Sequence, residues 1–119
     1  MASPNIADVV SIYGRTTVKT SVSTSSTSVL DGVAEKLFKV NTLMVSNKTS
    51  GSVSATVVFN QGGVTGYLAY QIQVPPGSSI AIIGKDTPVY VDENGEITAT
   101  AGTTAALDIV CSYEEIDDA

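Results

Sequence analysis

Apolar and polar residues alternate with a period of two along much of the chain. The clearest run spans 53–59, where Val53, Ala55, Val57 and Phe59 fall on one side and Ser54 and Thr56 on the other, with Val58 as the exception. That is the pattern of a strand with one face against a core. Residues 36–46 begin the same way, with Phe38, Val40 and Met44 on one face and Lys39 and Asn41 on the other, and then cross to Leu43 and Val45. A bulge, or burial on both sides at the strand's end, accounts for such a crossover. Further strands are predicted at 9–13, 27–30, 67–74, 79–84, 89–91, 96–100 and 106–114.

Turn residues separate these runs at short intervals: Asp31-Gly32, the stretch from Asn47 to Gly51, Asn60-Gln61-Gly62-Gly63, Pro75-Pro76-Gly77, Asp92-Glu93-Asn94-Gly95 and Ala101-Gly102-Thr103. The spacing suits meanders, and Asn94-Gly95 has the composition of a two-residue hairpin turn. The fold class that follows is all-β, a single β-sandwich domain of Ig-like or jelly-roll type, and the pattern leaves those two topologies open.

The N-terminal part reads differently. Residues 9–13 (Val9, Val10, Ser11, Ile12, Tyr13) are apolar enough to add to a sheet, but 15–28 are nearly all hydroxylated or charged and have little to bury. Residues 1–26 are therefore assigned to an N-terminal strand on a polar, extended arm, and 27–119 to the sandwich. Such an arm either exchanges onto a neighbouring subunit's sheet edge or returns to its own sheet as a first strand. If it is exchanged, Val9, Ile12, Tyr13, Arg15 and Lys19 are the subunit-interface residues.

Composition narrows the chemistry. The 119 residues suffice for one core, Trp is absent, and Val, Ile, Leu and Ala have to fill the interior. Histidine is also absent, which removes the commonest general base and metal ligand. The lone Cys111 has no internal disulfide partner and no cation beside it in sequence to activate the thiolate, as expected of a reduced, intracellularly made protein. No basic segment followed by an apolar one opens the chain, and no apolar run approaches the ~18 residues of a membrane span, so neither export nor a membrane is expected. The net charge of −6 is unevenly spread: all six Lys and Arg lie within residues 1–85, and nine of the twelve acids lie beyond them. This balance disfavours nucleic acid. It leaves open a dipolar pairing of neighbouring copies or a solvated acidic tail.

The remaining motifs read as structure. Asp92-Glu93-Asn94-Gly95-Glu96 lacks the spread of oxygen ligands a calcium loop requires. Glu114 and Glu115 point to opposite faces of a strand and do not form an acid/base pair. Asn47-Lys48-Thr49 matches a glycosylation acceptor but reads as a turn. Gly62-Gly63-Val64-Thr65-Gly66 lacks the Lys of a phosphate loop and reads as a hairpin tip. Tyr67 and Tyr70 have opposite parity, which puts at least one of them outside the sandwich. No catalytic residue, cofactor or metal is expected.

Several segments together resemble small virion structural proteins of tailed phages that infect cyanobacteria. They are Asn5-Ile6 with Val10-Ser11-Ile12-Tyr13-Gly14-Arg15-Thr16; the run Leu37-Phe38-Lys39-Val40-Asn41-Thr42-Leu43-Met44-Val45-Ser46-Asn47; Val74-Pro75-Pro76-Gly77; Lys85-Asp86-Thr87-Pro88-Val89-Tyr90-Val91-Asp92-Glu93; and Leu107-Asp108-Ile109-Val110-Cys111-Ser112-Tyr113-Glu114-Glu115-Ile116. The Ser-Tyr-Glu-Glu-Ile stretch is the most specific, and Asp117-Asp118-Ala119 after it departs from the family pattern, which bears on tail length only. The resemblance implies a non-enzymatic component of the virion, made in the host cytoplasm. A capsid decoration or cement protein is the first expectation, and a neck, tail or baseplate accessory the next. A receptor- or carbohydrate-binding module that uses the 62–66 tip and exposed tyrosines is the alternative class. The implied partners are other copies of the chain, as a homo-oligomer, and major capsid or other virion proteins.

Overall fold

The computed structural model describes residues 11–84 and 86–117; Val9 lies outside them. Among the described residues, nine strands form two facing antiparallel sheets. The first sheet holds β1 (Ser11–Val22), β9 (Leu107–Asp117), β3 (Lys36–Asn47) and, along the far edge of β3, both β6 (Ser79–Ile83) and β7 (Val89–Val91). The second runs in the order β2 (Thr27–Asp31), β8 (Gly95–Ala101), β4 (Val53–Gln61), β5 (Val64–Val74). β6 and β7 pair with successive stretches of the same strand, residues 43–46 and 38–40, and act as one interrupted edge strand. Counted so, the chain passes repeatedly between the sheets in the order of a jelly roll, which decides between the two sandwich topologies.

Most connections therefore cross from one sheet to the other and are not meander turns. The β4–β5 hairpin is an in-sheet turn, closed by Gly62 and Gly63 at φ 60° and 88°, backbone angles that glycine adopts without steric cost. Asn94-Gly95 is not a hairpin turn, because β7 and β8 belong to different sheets. Neither residue has positive φ. Gly95 is glycine for space: a Cβ there would lie 2.9 Å from Gln61 Oε1 and 3.2 Å from Val91 Cγ1.

The core lies between the sheets. Leu43, Val45, Ile83, Leu107, Ile109 and Cys111 from the first meet Val57, Val74, Ile97, Ala99 and Ala101 from the second. β8 follows strict alternation, Gly95, Ile97, Ala99 and Ala101 inward and Glu96, Thr98 and Thr100 outward. β3 contains the bulge that its crossing pattern implied, at Asn41, where the register to β9 slips between Val40 and Thr42. Its effect is to leave Phe38, Val40, Leu43 and Val45 buried and to turn Met44 outward, 41% exposed, so Met44 does not share the inner face with Phe38 and Val40.

Residues 11–22, the described part of the proposed arm, form β1 and pair with β9 of the same chain from Ser11↔Asp117 to Val22↔Leu107. β1 is polar because it is an edge strand that contributes little to the core; of the β1 residues whose burial is described, Val22 alone is buried. Near its end Ser21 sits at φ 54° in a bulge, and the displaced amide donates to Asp108 Oδ1 at 2.9 Å.

Candidate interaction surfaces

Two groups of side chains are candidates for interaction, the first of them built against the core residue Phe38. The first is an ionic and aromatic cluster where β1, β9 and β3 run together. Glu115 is only 7% exposed, and its carboxylate accepts from Arg15 Nε at 2.9 Å and from Lys36 Nζ at 2.7 Å. Lys36 also donates to Asp117 Oδ1 at 3.1 Å. Register explains the convergence: Tyr13 and Phe38 lie opposite Glu115 on its two flanks, and Lys36 lies opposite Asp117. The Arg15 guanidinium sits 5.3 Å from the centre of the Tyr13 ring, and Phe38 meets Tyr113 edge-to-face with centroids 5.1 Å apart.

The Glu115 contact, followed by that to Asp117, raises the Lys36 pKa above its ordinary 10.5. An amine held as ammonium is not a nucleophile, so the closeness of Lys36 to two carboxylates serves cohesion between strands and not amide formation. Burial, and then the negative charge of Glu115, raises the Tyr113 hydroxyl pKa. At the other end of the sheet the Ser21 amide, followed by Lys48, lowers the pKa of Asp108.

The second group is apolar and faces outward. In strand register, Val18 on β1 lies beside Val110 on β9, Val110 beside Met44 on β3, and Met44 beside Ala81 on β6. Val18, Val110 and Met44 are 56%, 40% and 41% exposed. Residues directly opposite on antiparallel neighbours share a face, so this is a continuous row across the outside of the first sheet. On the second sheet, two bulges in β5 alter the parity read from the sequence. The register to β4 slips on either side of Val57, and Gln71 sits at φ 48° with its amide donating to Thr56 Oγ1 at 3.1 Å. Both Tyr67 and Tyr70 consequently point outward, their rings edge-to-face at 4.8 Å.

The residues singled out in β1 separate. Tyr13 and Arg15 join the ionic cluster, where Arg15 is engaged within its own chain. Ile12 lies opposite Ile116 and is 56% exposed. Lys19 lies opposite Ile109, half-buried. Val18, Val110 and Met44 are not among the interface residues expected from the sequence. The alternation Leu107, Ile109, Cys111 already marked Val110 as outward, whereas Met44 depended on where the Asn41 bulge fell.

No known protein family and no curated protein sequence matches the chain. Among solved structures it is similar to one from work on Bacillus endospore appendages, described as a novel family of disulfide-linked pili, at 22% identity over 91% of this chain and 89% of that one, with a TM-score of 0.54. It is also similar to the infectious bursal disease virus VP2 subviral particle, at 8% identity over 91% of this chain and a TM-score of 0.54. The T13 particle of the same virus matches at 9% identity and a TM-score of 0.51. This chain spans about a third of the length of those viral chains, 32% in each. At such identities the likeness is one of fold.

The described residues enclose no cavity and include no cluster of three side chains able to hold a metal. Asn47 of the glycosylation pattern is 2% exposed, with both ends of its amide hydrogen-bonded. Cys111 is fully buried, and desolvation pushes its thiol up to about 11. In the folded protein at about pH 8 it should therefore resist a thiol-reactive disulfide reagent, and it should react fully once urea unfolds the chain. Rapid labelling without denaturant would show that the strands around Cys111 open readily.

Proposed function

We propose that this chain is a non-enzymatic structural subunit of a virus particle, a decoration or cement protein on the capsid of a tailed phage. Sheets that turn apolar and aromatic side chains outward carry this reading: Val18, Val110 and Met44 on one, Tyr67 and Tyr70 on the other. Exposed apolar patches of this kind mark contact surfaces. The similar folds come from a pilus and from viral particles, and the sequence resemblance to cyanobacterial phage proteins points the same way. Contacts would be non-covalent at Cys111, whose buried thiol is out of reach of a neighbour.

Quantitative mass spectrometry of purified particles, together with an image reconstruction in which the chain is traced, tests the proposal. Hundreds of copies on the shell support it, whereas roughly six to eighteen copies on the tail axis would make it a neck, tail or baseplate component. Absence from washed particles would overturn both. The paired Tyr67 and Tyr70 favour a second reading, a carbohydrate- or receptor-binding module, since outward rings suit sugar contacts. If Tyr67→Ala/Tyr70→Ala abolishes binding to host cells while particle incorporation is unchanged, that reading replaces the first.

A further inference from the structure

The outer face of the first sheet can be followed as rows running across its strands. One row reads Gly14, Glu114, Lys39, Tyr90 from β1 to β7. The next reads Thr16, Ser112, Thr42, with the Thr16 and Ser112 hydroxyls 3.2 Å apart. The apolar row Val18, Val110, Met44, Ala81 follows, and beyond it Asp108, Ser46, Ser79.

We propose that this face is the contact between two copies of the chain, stacked face to face about a twofold axis that runs parallel to the strands between β9 and β3. The rows themselves select a second copy as the occupant. That axis turns each row end for end onto itself, so the pairings across the contact are fixed by register. Val110 meets Met44 of the second copy and Val18 meets its Ala81, apolar on apolar. Glu114 meets Lys39 of the second copy, and Lys39 meets its Glu114. Tyr90, 44% exposed, meets Gly14, where a Cβ would find nothing within 4 Å and the ring has room to settle. Ser112 meets Thr42 of the second copy, hydroxyl on hydroxyl, and Asp108 meets its Ser46.

Charge supports the same occupant. Each acid on the face has a cation beside it, Glu114 in register with Lys39, and Asp108 bonded to Lys48 at 2.9 Å. The face is balanced: it does not attract a strongly charged partner and strands no lone charge when covered. Sheets stacked in this way lie about 10 Å apart, the ordinary spacing of sheets packed face to face. Four strands at ~4.8 Å spacing and about seven residues at ~3.3 Å each give roughly 400–500 Å² per copy in projection. The two copies together come near the ~1,000 Å² threshold of a specific contact, the size of a weak, reversible association. The inference does not rest on the particle reading, because a dimer in solution that never joins a particle would sink the latter alone.

Sedimentation equilibrium of the full chain from about 1 to 100 μM tests it. Wild type is expected to dimerise in that range. Val110→Lys, at an exposed position that does not disturb folding, is expected to raise the dissociation constant at least tenfold. Lys39→Glu alone and Glu114→Lys alone each place like charges across the contact and should be monomeric. An equal mixture of the two single variants makes both cross-contacts attractive again and should restore the dimer as a heterodimer. A monomeric wild type at 100 μM, an undiminished dimer with Val110→Lys, or a mixture that stays monomeric overturns the proposal. Circular dichroism of each variant separates lost association from lost fold.

Discussion

Replacing Asn47 with alanine should cost about 3 kcal/mol of folding stability, read as a lower urea midpoint at unchanged slope. Asn47 ends β3 and ties three segments together. Its Nδ2 donates to the carbonyls of Gly51 at 2.8 Å and Val74 at 2.9 Å, while its Oδ1 accepts from the Thr49 amide at 2.9 Å and hydroxyl at 2.7 Å. Its backbone amide donates to Ser78 O at 2.9 Å, and its own carbonyl accepts from Gly77 N at 3.0 Å. The side chain therefore holds the β3–β4 turn against the β5–β6 connection, two of the places where the chain changes sheets. Alanine leaves the carbonyl of the fully buried Val74 without this donor, and a stranded buried group costs about 1–3 kcal/mol. Lys48→Ala next door removes a partly exposed ion pair to Asp108 and an exposed hydrogen bond to Ser21 Oγ at 2.8 Å, and should cost about 0.5 kcal/mol. If the two variants lose equal stability, the turn does not staple the sheets.

Glu115→Ala is expected to lower stability by about 2 kcal/mol and to change its pH dependence. The variant removes a buried carboxylate with two cationic partners and leaves a gap beside Phe38 and Tyr13. The figure is set below that for a fully buried pair because Arg15 and Lys36, 49% and 30% exposed, can return to water. The sign of the pH effect follows from Lys36. A lysine with a raised folded pKa contributes its full stabilisation below the ordinary value of 10.5 and loses it as pH rises through the raised one. Wild type should therefore lose stability on the alkaline side of 10.5, and the variant, without the larger of the two contacts that raise Lys36, should lose less over the same window. Asp108 acts in the opposite limb: its lowered pKa stabilises above 3.8, and that share disappears as pH falls through the depressed value. Parallel alkaline limbs in the two proteins would show that the cluster does not set the Lys36 ionisation.

The strand positions were legible because each obeys a local rule. β7 falls where an apolar run between turn residues put it, and β2, β3, β4, β6, β8 and β9 lie within a few residues of the alternating runs that announced them. β5 begins three residues before its alternating run, as soon as Gly62-Gly63 has closed the hairpin. The bulge in β3 is visible as a change of phase in the pattern but its place is not, so alternation alone puts Met44 on the inner face, whereas the bulge at Asn41 turns it outward. The bulges in β5 left no such sign. They depend on Gln71 at positive φ and on a hydroxyl from β4, a partner fifteen residues away in sequence, and they bring Tyr67 and Tyr70 together on the outer face.

By itself the sequence determined that the protein is built of strands, where those after the first begin and end to within a few residues, and that its interior is aliphatic; β1, expected at 9–13, runs from Ser11 to Val22. These are properties of period-two patterning and composition, which each segment carries alone. Only the tertiary structure decided that the topology is a jelly roll, that 11–22 form a long strand in register with β9, that Glu115 is held between Arg15 and Lys36, and that Val18, Val110 and Met44 align into one outward row. Those depend on which strands become neighbours and in what register. A one-residue slip turns a side chain from the core to solvent, and pairing between segments nearly a hundred residues apart is a property of the whole chain.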